Sequence, residues 1–90
     1  MDNMKASISV IPNPNHGTFK LSGHLQVTNL KVVTIEIVDM LGKTVHTQTV
    51  PVKNGSIEEN IAMHEVANGV YMVKIKGDNV SHVLRCVIDK

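Results

Sequence analysis

The chain has 90 residues, of which 42% are hydrophobic and 19% charged. It is therefore long enough for one small domain and too apolar for a disordered segment. Nine basic residues against eight acidic ones leave a formal net charge of +1, which argues against the basic surface typical of nucleic-acid-binding proteins. The single cysteine, Cys86, excludes a disulfide within the chain, and we expect it to be a buried thiol.

Apolar runs in the chain are short. None approaches the roughly 20 residues that a membrane-spanning helix needs, so we expect no transmembrane segment. The first residues also lack the apolar stretch of a secretory signal peptide. We expect residues 1–6 to be a disordered linker or a remnant of cloning, and residues 7–90 to form a single domain.

The first third of the chain alternates between apolar and polar residues. Ile8 and Val10 alternate with serines before a proline-rich stretch that interrupts strand pairing. Phe19 and Leu21 then share one face, with polar residues between them. Two strands separated by residues 12–17 are therefore predicted.

The middle of the chain contains the clearest inward-facing row, formed by Val33, Ile35 and Ile37. Residues 39–43 then read as a hairpin turn, with Gly42 at a position that requires positive φ. The run from residue 44 to residue 50 is more polar, which predicts a strand at the edge of a sheet.

The remaining segments follow the same pattern. Asn54-Gly55 is the strongest two-residue turn signal, and residues 63–67 are expected to form a helical turn or a crossing loop. Gly69 is expected where a side chain would clash. The predicted inward-facing residues of this half are Ile57, Ile61, Tyr71, Val73 and Ile75, and the last strand is expected from about Val80 to Ile88.

About seven short strands at a spacing of about 10 residues, with no long helical period, predict an all-β protein. We expect an immunoglobulin-like antiparallel β-sandwich of about seven strands. Phe19 and Tyr71, the chain's two aromatic residues, fall on inward faces and are predicted to serve the core.

No residue pattern indicates catalysis or a cofactor. The five histidines lie at least eight positions apart, whereas metal sites favour close pairs. In a strand, His82 and Cys86 would be about 13 Å apart, too far for a catalytic dyad. No G-x-S-x-G elbow or glycine-rich phosphate loop is present. We therefore expect no enzyme activity, no cofactor and no metal.

Three motifs follow one another along the chain. A P-N-P-x-x-G-x-F motif comprises Pro12, Asn13, Pro14, Gly17 and Phe19. A V-x-I-x-D-x-x-G-K-x-V-like motif, with a slightly longer strand before its Asp, contains Asp39, Gly42 and Lys43. An L-x-x-G-x-Y-x-V-x-I-like motif contains Gly69 and Tyr71, with Val66 in place of Leu, and a V-I-x-K-like ending follows a basic residue, Arg85.

Together, these motifs resemble the C-terminal sorting domain, type A, of cargo proteins of the Bacteroidetes type IX (Por) secretion system. The resemblance implies a periplasmic cargo protein that this domain directs through the outer membrane. It also implies removal of the domain by a sortase-like peptidase, near or upstream of Ala6 and Ser7. The cargo would then remain at the cell surface, attached to lipopolysaccharide, or become extracellular.

The partners that this resemblance implies are the translocon, the peptidase and the N-terminal cargo domains of the parent protein. We expect the translocon to recognise Arg85, Val87, Ile88, Asp89 and Lys90, while the motif residues serve mainly the fold. An edge strand with free N–H and C=O groups could add to this recognition or form a homodimer. The alternative is an immunoglobulin- or fibronectin-like adhesion or carbohydrate-binding domain, which needs an exposed aromatic residue or a calcium-binding carboxylate site in its loops.

Overall fold

The computed structural model describes residues 7–25, 29–78 and 80–90. These residues form seven strands, as the alternation predicts, and contain no helix. The strands are β1 (Ser7–Ile11), β2 (Thr18–His24), β3 (Val32–Val38), β4 (Thr44–Pro51), β5 (Ser56–Ala62), β6 (Gly69–Gly77) and β7 (Val80–Ile88). Residues 1–6, expected to be a linker, lie outside the described residues.

The strands form two antiparallel sheets, which confirms the predicted β-sandwich. The first sheet has the order β1-β2-β5, and the second has the order β4-β3-β6-β7. The predicted edge position of the polar strand β4 is confirmed, and β7 forms the opposite edge of the same sheet. The first strand, β1, therefore lies on an edge of the first sheet, and the last strand, β7, lies on an edge of the second.

The core lies between the two sheets and consists mainly of aliphatic side chains. Alternation along each strand sends every second residue inward, and the most deeply buried side chains include Leu21, Ile35, Ile61, Val73 and Ile88. Both aromatic residues are buried as predicted: the exposed fraction is 2% for Phe19 and 6% for Tyr71. Branched residues thus provide the apolar area that aromatic side chains supply in many other domains.

Both predicted hairpin turns are present. Asn54 and Gly55 have φ angles of 54° and 79°, the left-handed pair that a tight two-residue turn requires. Gly42 has a φ angle of 88° in the turn between β3 and β4. Residues 63–68 form a loop with turns.

The two long sides of the sandwich are closed differently. On one side, the tight turn between β4 and β5 leads the chain from the second sheet to the first, and Gln48 Nε2 donates to Glu59 Oε2 at 2.9 Å. On the other side, β1 and β7 are neighbouring edges, and the described residues show no strand pairing between them except a parallel bridge from Asn15 to Ile88. On this second side, the loop between β1 and β2 reaches across from the first sheet to the edge of the second.

Gly23 allows β1 and β2 to pair closely. It lies opposite Ile8 in the antiparallel ladder. A Cβ atom at this position would be 2.1 Å from the Ser7 carbonyl oxygen and 2.5 Å from the Ile8 Cα atom. Both neighbours are backbone atoms, so a side chain could be accommodated only by displacing β1.

We predict that Gly23→Ala lowers the free energy of unfolding by roughly 3 kcal/mol, because backbone overlap of this kind cannot be relieved by a rotamer change. Urea denaturation monitored by circular dichroism measures the effect. Ser22→Ala is the matched control, and we expect a change within about 0.5 kcal/mol for it. Equal urea midpoints for Gly23→Ala and the wild type would contradict the prediction.

Candidate functional site

The three motifs meet at one end of the sandwich. Gly69 pairs with Ile88 in the second sheet, and Asn15 forms its bridge to the same Ile88. The Met63 amide donates to the Gly17 carbonyl at 2.7 Å. The loops at residues 12–17, 39–43 and 63–68, together with residues 89 and 90, thus form what we call the motif end. We call residues 12–17 the PNP loop and residues 85–90 the tail segment.

The side chain of Asn13 takes the place of a peptide group beside β7. Its Nδ2 donates to the Arg85 carbonyl, and its Oδ1 accepts from the Val87 amide, both at 2.9 Å. A parallel strand would offer the same donor and acceptor to an edge. Asn13 thereby satisfies two backbone groups of the tail segment without main-chain pairing.

Asn15 continues this pairing with its main chain. Its amide donates to the Val87 carbonyl at 2.9 Å, and its carbonyl accepts from the Asp89 amide at 2.8 Å. Its side chain is only 2% exposed and stabilises the PNP loop from within. There, Nδ2 donates to the Pro12 carbonyl at 3.1 Å, and Oδ1 accepts from the Gly17 amide at 2.9 Å.

Gly17 closes the PNP loop in a conformation that favours glycine. Its φ angle is 110°, and a Cβ atom there would be 2.9 Å from the Met63 carbonyl oxygen. Gly69 differs, because a Cβ atom there would meet nothing closer than 4.0 Å, which is Tyr71 Cε1. The predicted steric clash at Gly69 is therefore wrong.

Cys86 is the buried thiol that the sequence predicts, with no exposed surface. Asn15 Nδ2 lies 3.4 Å from its Sγ atom and donates to it. Burial raises the pKa of the Cys86 thiol, and the bond from Asn15 opposes this shift. A neutral, enclosed thiol of this kind packs as a small apolar side chain.

Residues of the tail segment divide between core and solvent. Ile88 is 1% exposed, so its side chain belongs to the core. Arg85, Asp89 and Lys90 are exposed, and Val87 is half-buried. The Arg85 guanidinium forms no hydrogen bond or ion pair with any part of the chain that the structure describes. Of the five residues predicted to be recognised, four thus present at least part of their side chain to solvent.

Lys90 anchors the end of the tail segment through bonds that the sequence does not reveal. Its Nζ donates to the carbonyls of His64 and Val66, both at 2.6 Å. Its amide donates to Asn68 Oδ1 at 2.9 Å. The ammonium group thus holds the 63–68 loop against β7, a role for which carbonyl oxygens at a turn are suitable acceptors.

Neighbouring contacts complete this end of the molecule. His16 Nδ1 lies 2.9 Å from the Asp89 carbonyl and donates to it in the tautomer that carries the Nδ1 proton. The Tyr71 hydroxyl donates to the Ala67 carbonyl, so the motif tyrosine combines a buried ring with a bonded hydroxyl. The PNP loop and the 63–68 loop are thus both bonded to the tail segment.

Metal ligands do not gather in the described ranges. No group of three or more His, Cys, Asp or Glu side chains is placed to hold an ion there. Within residues 7–25, 29–78 and 80–90, the structure also contains no helix long and apolar enough to cross a membrane.

The sequence profile of the secretion system C-terminal sorting domain family matches residues 9–89. This range includes the PNP loop, the 39–43 turn and nearly all of the tail segment. The chain belongs to this family. Its members are the sorting signals of the type IX system, so the predicted resemblance is confirmed.

A comparison with solved structures supports the fold of this sorting domain, whereas a search of curated proteins finds no significant match. Among solved structures, E. coli alpha-2-macroglobulin in its native conformation has a similar region, with a TM-score of 0.69 and 13% identity over 98% of this chain. The sorting domain spans 6% of the length of that chain, and the likeness shows the fold alone.

The second motif of the sorting domain fixes a turn. Asp39 Oδ1 accepts from the amides of Leu41 and Lys43, both at 2.9 Å, while the Gly42 amide donates to the Asp39 carbonyl at 3.0 Å. Leu41 lies at the tip of this turn and is 95% exposed. Asp39 and Gly42 therefore stabilise the turn between β3 and β4.

We predict that Asn13→Ala speeds hydrogen exchange of the Val87 amide about tenfold, because the acceptor for that amide is lost. A tenfold change corresponds to roughly 1.4 kcal/mol, within the range for a hydrogen bond and its unsatisfied partner. Two-dimensional NMR of the isotope-labelled domain measures the rate. The Lys74 amide in the centre of the sheet is the internal control, and unchanged exchange at Val87 would oppose the assigned role of Asn13.

We predict that the free energy of unfolding of the wild type falls, relative to that of Cys86→Ala, as the pH rises past 9.0. The pKa of the thiol is raised above its ordinary value of 9.0 in the folded domain, so the unfolded chain loses its proton first. The stabilisation is complete below pH 9.0 and disappears as the pH passes the folded pKa. Urea denaturation of both proteins at pH values between about 7 and about 10.5 measures this difference. If the free energy of unfolding depends on pH in the same way for both proteins, the prediction is contradicted.

Proposed function

We propose that this sorting domain directs a periplasmic cargo protein through the outer membrane by the type IX secretion system. The observation that supports the proposal most strongly is the family match over residues 9–89, which spans all three motifs. The parent protein would cross the inner membrane by a signal peptide, and the folded domain would then be recognised by the translocon.

The proposed recognition site is the solvent-facing part of the tail segment. Arg85 offers a guanidinium that has no partner among residues 7–25, 29–78 and 80–90, and the exposed Asp89 and Lys90 lie beside it at the motif end. Val87 adds a half-buried apolar surface, whereas Ile88 contributes by anchoring the segment in the core. An acidic or carbonyl-rich surface on the translocon would fit the guanidinium, since Arg binds such groups through paired hydrogen bonds.

After translocation, we infer that a sortase-like peptidase removes the domain in the segment before β1, near or upstream of Ser7. The cargo would then be attached to lipopolysaccharide at the cell surface or released. Support comes from the pairing of Ser7 with His24 in β1 and β2, because cleavage upstream of Ser7 would leave these paired strands intact.

The adhesion or carbohydrate-binding alternative has less support. Stacking on a sugar or a nucleobase needs an exposed aromatic ring. The chain has one Phe and one Tyr, and both rings are buried. We therefore retain a single proposed function.

We predict that Arg85→Ala reduces surface or extracellular delivery of a reporter about tenfold, since a charge-assisted contact is worth roughly 1.5–3 kcal/mol. The test fuses residues 7–90 to a periplasm-targeted fluorescent protein in a type IX-competent Bacteroidetes host. Lys53→Ala, which removes an exposed cation from the connection between β4 and β5, is the matched control and should be delivered normally.

Two outcomes separate the parts of this proposal. If the wild-type fusion stays in the periplasm while folded, the sorting function fails for that machinery. If Arg85→Ala is delivered as well as the wild type, sorting stands, and the role of the guanidinium is wrong. Deleting residues 85–90 would be a poorer test, because it also removes the buried side chains of Cys86 and Ile88.

A further inference from the structure

Among the residues that the structure describes, the outer edge of β7 has hydrogen-bond partners over only part of its length. The groups that bond to the PNP loop are the carbonyls of Arg85 and Val87 and the amides of Val87 and Asp89. All of them belong to odd-numbered residues. Along an antiparallel strand, the backbone N–H and C=O groups of successive residues point alternately to the two neighbouring sides. The N–H and C=O groups of the odd-numbered residues of β7 therefore point away from β6.

The same alternation identifies further outward groups earlier in β7. The carbonyls of Ser81 and Val83 and the amides of Val83 and Arg85 point along the same edge. Within residues 7–25, 29–78 and 80–90, no hydrogen bond outside the ladder to β6 uses any of these four groups. They form two consecutive pairs in the register of a parallel strand.

The PNP loop shows which direction of strand this edge accepts. Its bridge from Asn15 to Ile88 is parallel. Asn15 supplies one parallel pairing with its main chain, and the Asn13 amide supplies the preceding one with its side chain. The two unused pairings continue this ladder towards Val80 without interruption.

The side chains around these groups are mostly apolar. A groove of about 260 Å³ between β1 and β7 is lined by Ile8, His82, Val83 and Leu84. Val83 is 55% exposed on the outer face of the sheet. On the opposite side of the sandwich, between β4 and β5, Gln48 and Glu59 form a polar contact instead. Of the two sides, the one between β1 and β7 thus offers aliphatic surface next to the four outward-pointing backbone groups described above.

We propose that residues 81–85 of β7 bind an extended segment of a translocon protein as an added parallel strand. Two residues of that segment would fill the two pairings opposite His82 and Leu84. An aliphatic side chain on the residue opposite Leu84 would lie on the same face of the sheet as Leu84, against Ile8 and Leu84. Strand addition of this kind uses main-chain bonds for affinity and a side-chain pocket for specificity. The inference rests on the proposed sorting function and assigns it a second contact, separate from the Arg85 guanidinium.

A second copy of the chain is the less suitable occupant. Two pairings bury far less area than the roughly 1,200 Å² typical of a stable interface. A translocon segment gains further contacts because the proposed recognition residues Arg85, Asp89 and Lys90 lie next to the same edge. Linking two weak contacts in one partner raises the overall affinity, whereas a second copy offers no such addition.

The test uses proline substitutions, which remove single amide donors. Val83→Pro eliminates an amide that the added strand needs and that the ladder to β6 does not use. Ser81→Pro is the matched control, because it removes an outward amide that lies outside the two proposed pairings. Both are made in the reporter fusion of residues 7–90, with urea denaturation to establish folding.

We expect Val83→Pro to lower reporter delivery about tenfold and Ser81→Pro to lower it less than about twofold, since only the first leaves a partner carbonyl unpaired. Val83→Ala, which keeps the amide, should be delivered nearly as well as the wild type. If Val83→Pro does not fold, Arg85→Pro compared with Arg85→Ala isolates the other required amide.

Equal delivery of folded Val83→Pro and the wild type would overturn the strand-addition inference and leave the sorting function intact. Retention of the wild-type fusion in the periplasm would instead reject the sorting function itself. Sedimentation of the purified domain adds a third outcome. A wild-type dimer that Val83→Pro abolishes would assign the edge to a second copy and overturn the inference.

Discussion

The structure depends above all on the hydrogen bonds that join the PNP loop to the last strand. Asn13 and Arg85 are 72 positions apart in the chain, yet the Asn13 amide pairs with the backbone of the tail segment. These bonds join the loop between two strands of the first sheet to the edge strand of the second sheet. Contacts between such distant residues cost chain entropy and form only when both sheets are in place. The tail segment therefore has a defined geometry only within the folded domain.

The tail segment serves folding and recognition through alternating residues. Cys86 and Ile88 point into the core, while Arg85 and Val87 point outward from the same strand. The backbone groups of the outward residues are also bonded to the PNP loop. A substitution here can change stability and recognition together, because the two roles are one residue apart. Outward side chains that form no hydrogen bond or ion pair with the described part of the chain, such as that of Arg85, are the positions at which the two effects separate.

The strands were predictable from the sequence because alternating burial is a local property. The spacing of Val33, Ile35 and Ile37 alone predicts an inward face, and the residue pair Asn54-Gly55 alone predicts a turn. The bonds of the motif end depend on residues far apart in the chain, so local patterns could not reveal them. Asn15 occupied an unspecified motif position, yet it is buried and bonded to both the PNP loop and Cys86. Its place directly after Pro14 and two residues before Gly17 is the sequence signal that could have identified it, because Asn side chains often bond to the backbone of such turns.

Lys90 shows why the motif end is better regarded as a surface than as a linear signal. Its ammonium group binds carbonyls of the 63–68 loop, and its amide binds Asn68, so its position requires a loop more than 20 positions away. Asp89 is likewise placed by Asn15 and His16. A peptide with the sequence of the tail segment would contain the same side chains without these partners. It would therefore pay the entropy of ordering them when it binds, a cost that the folded domain has already met.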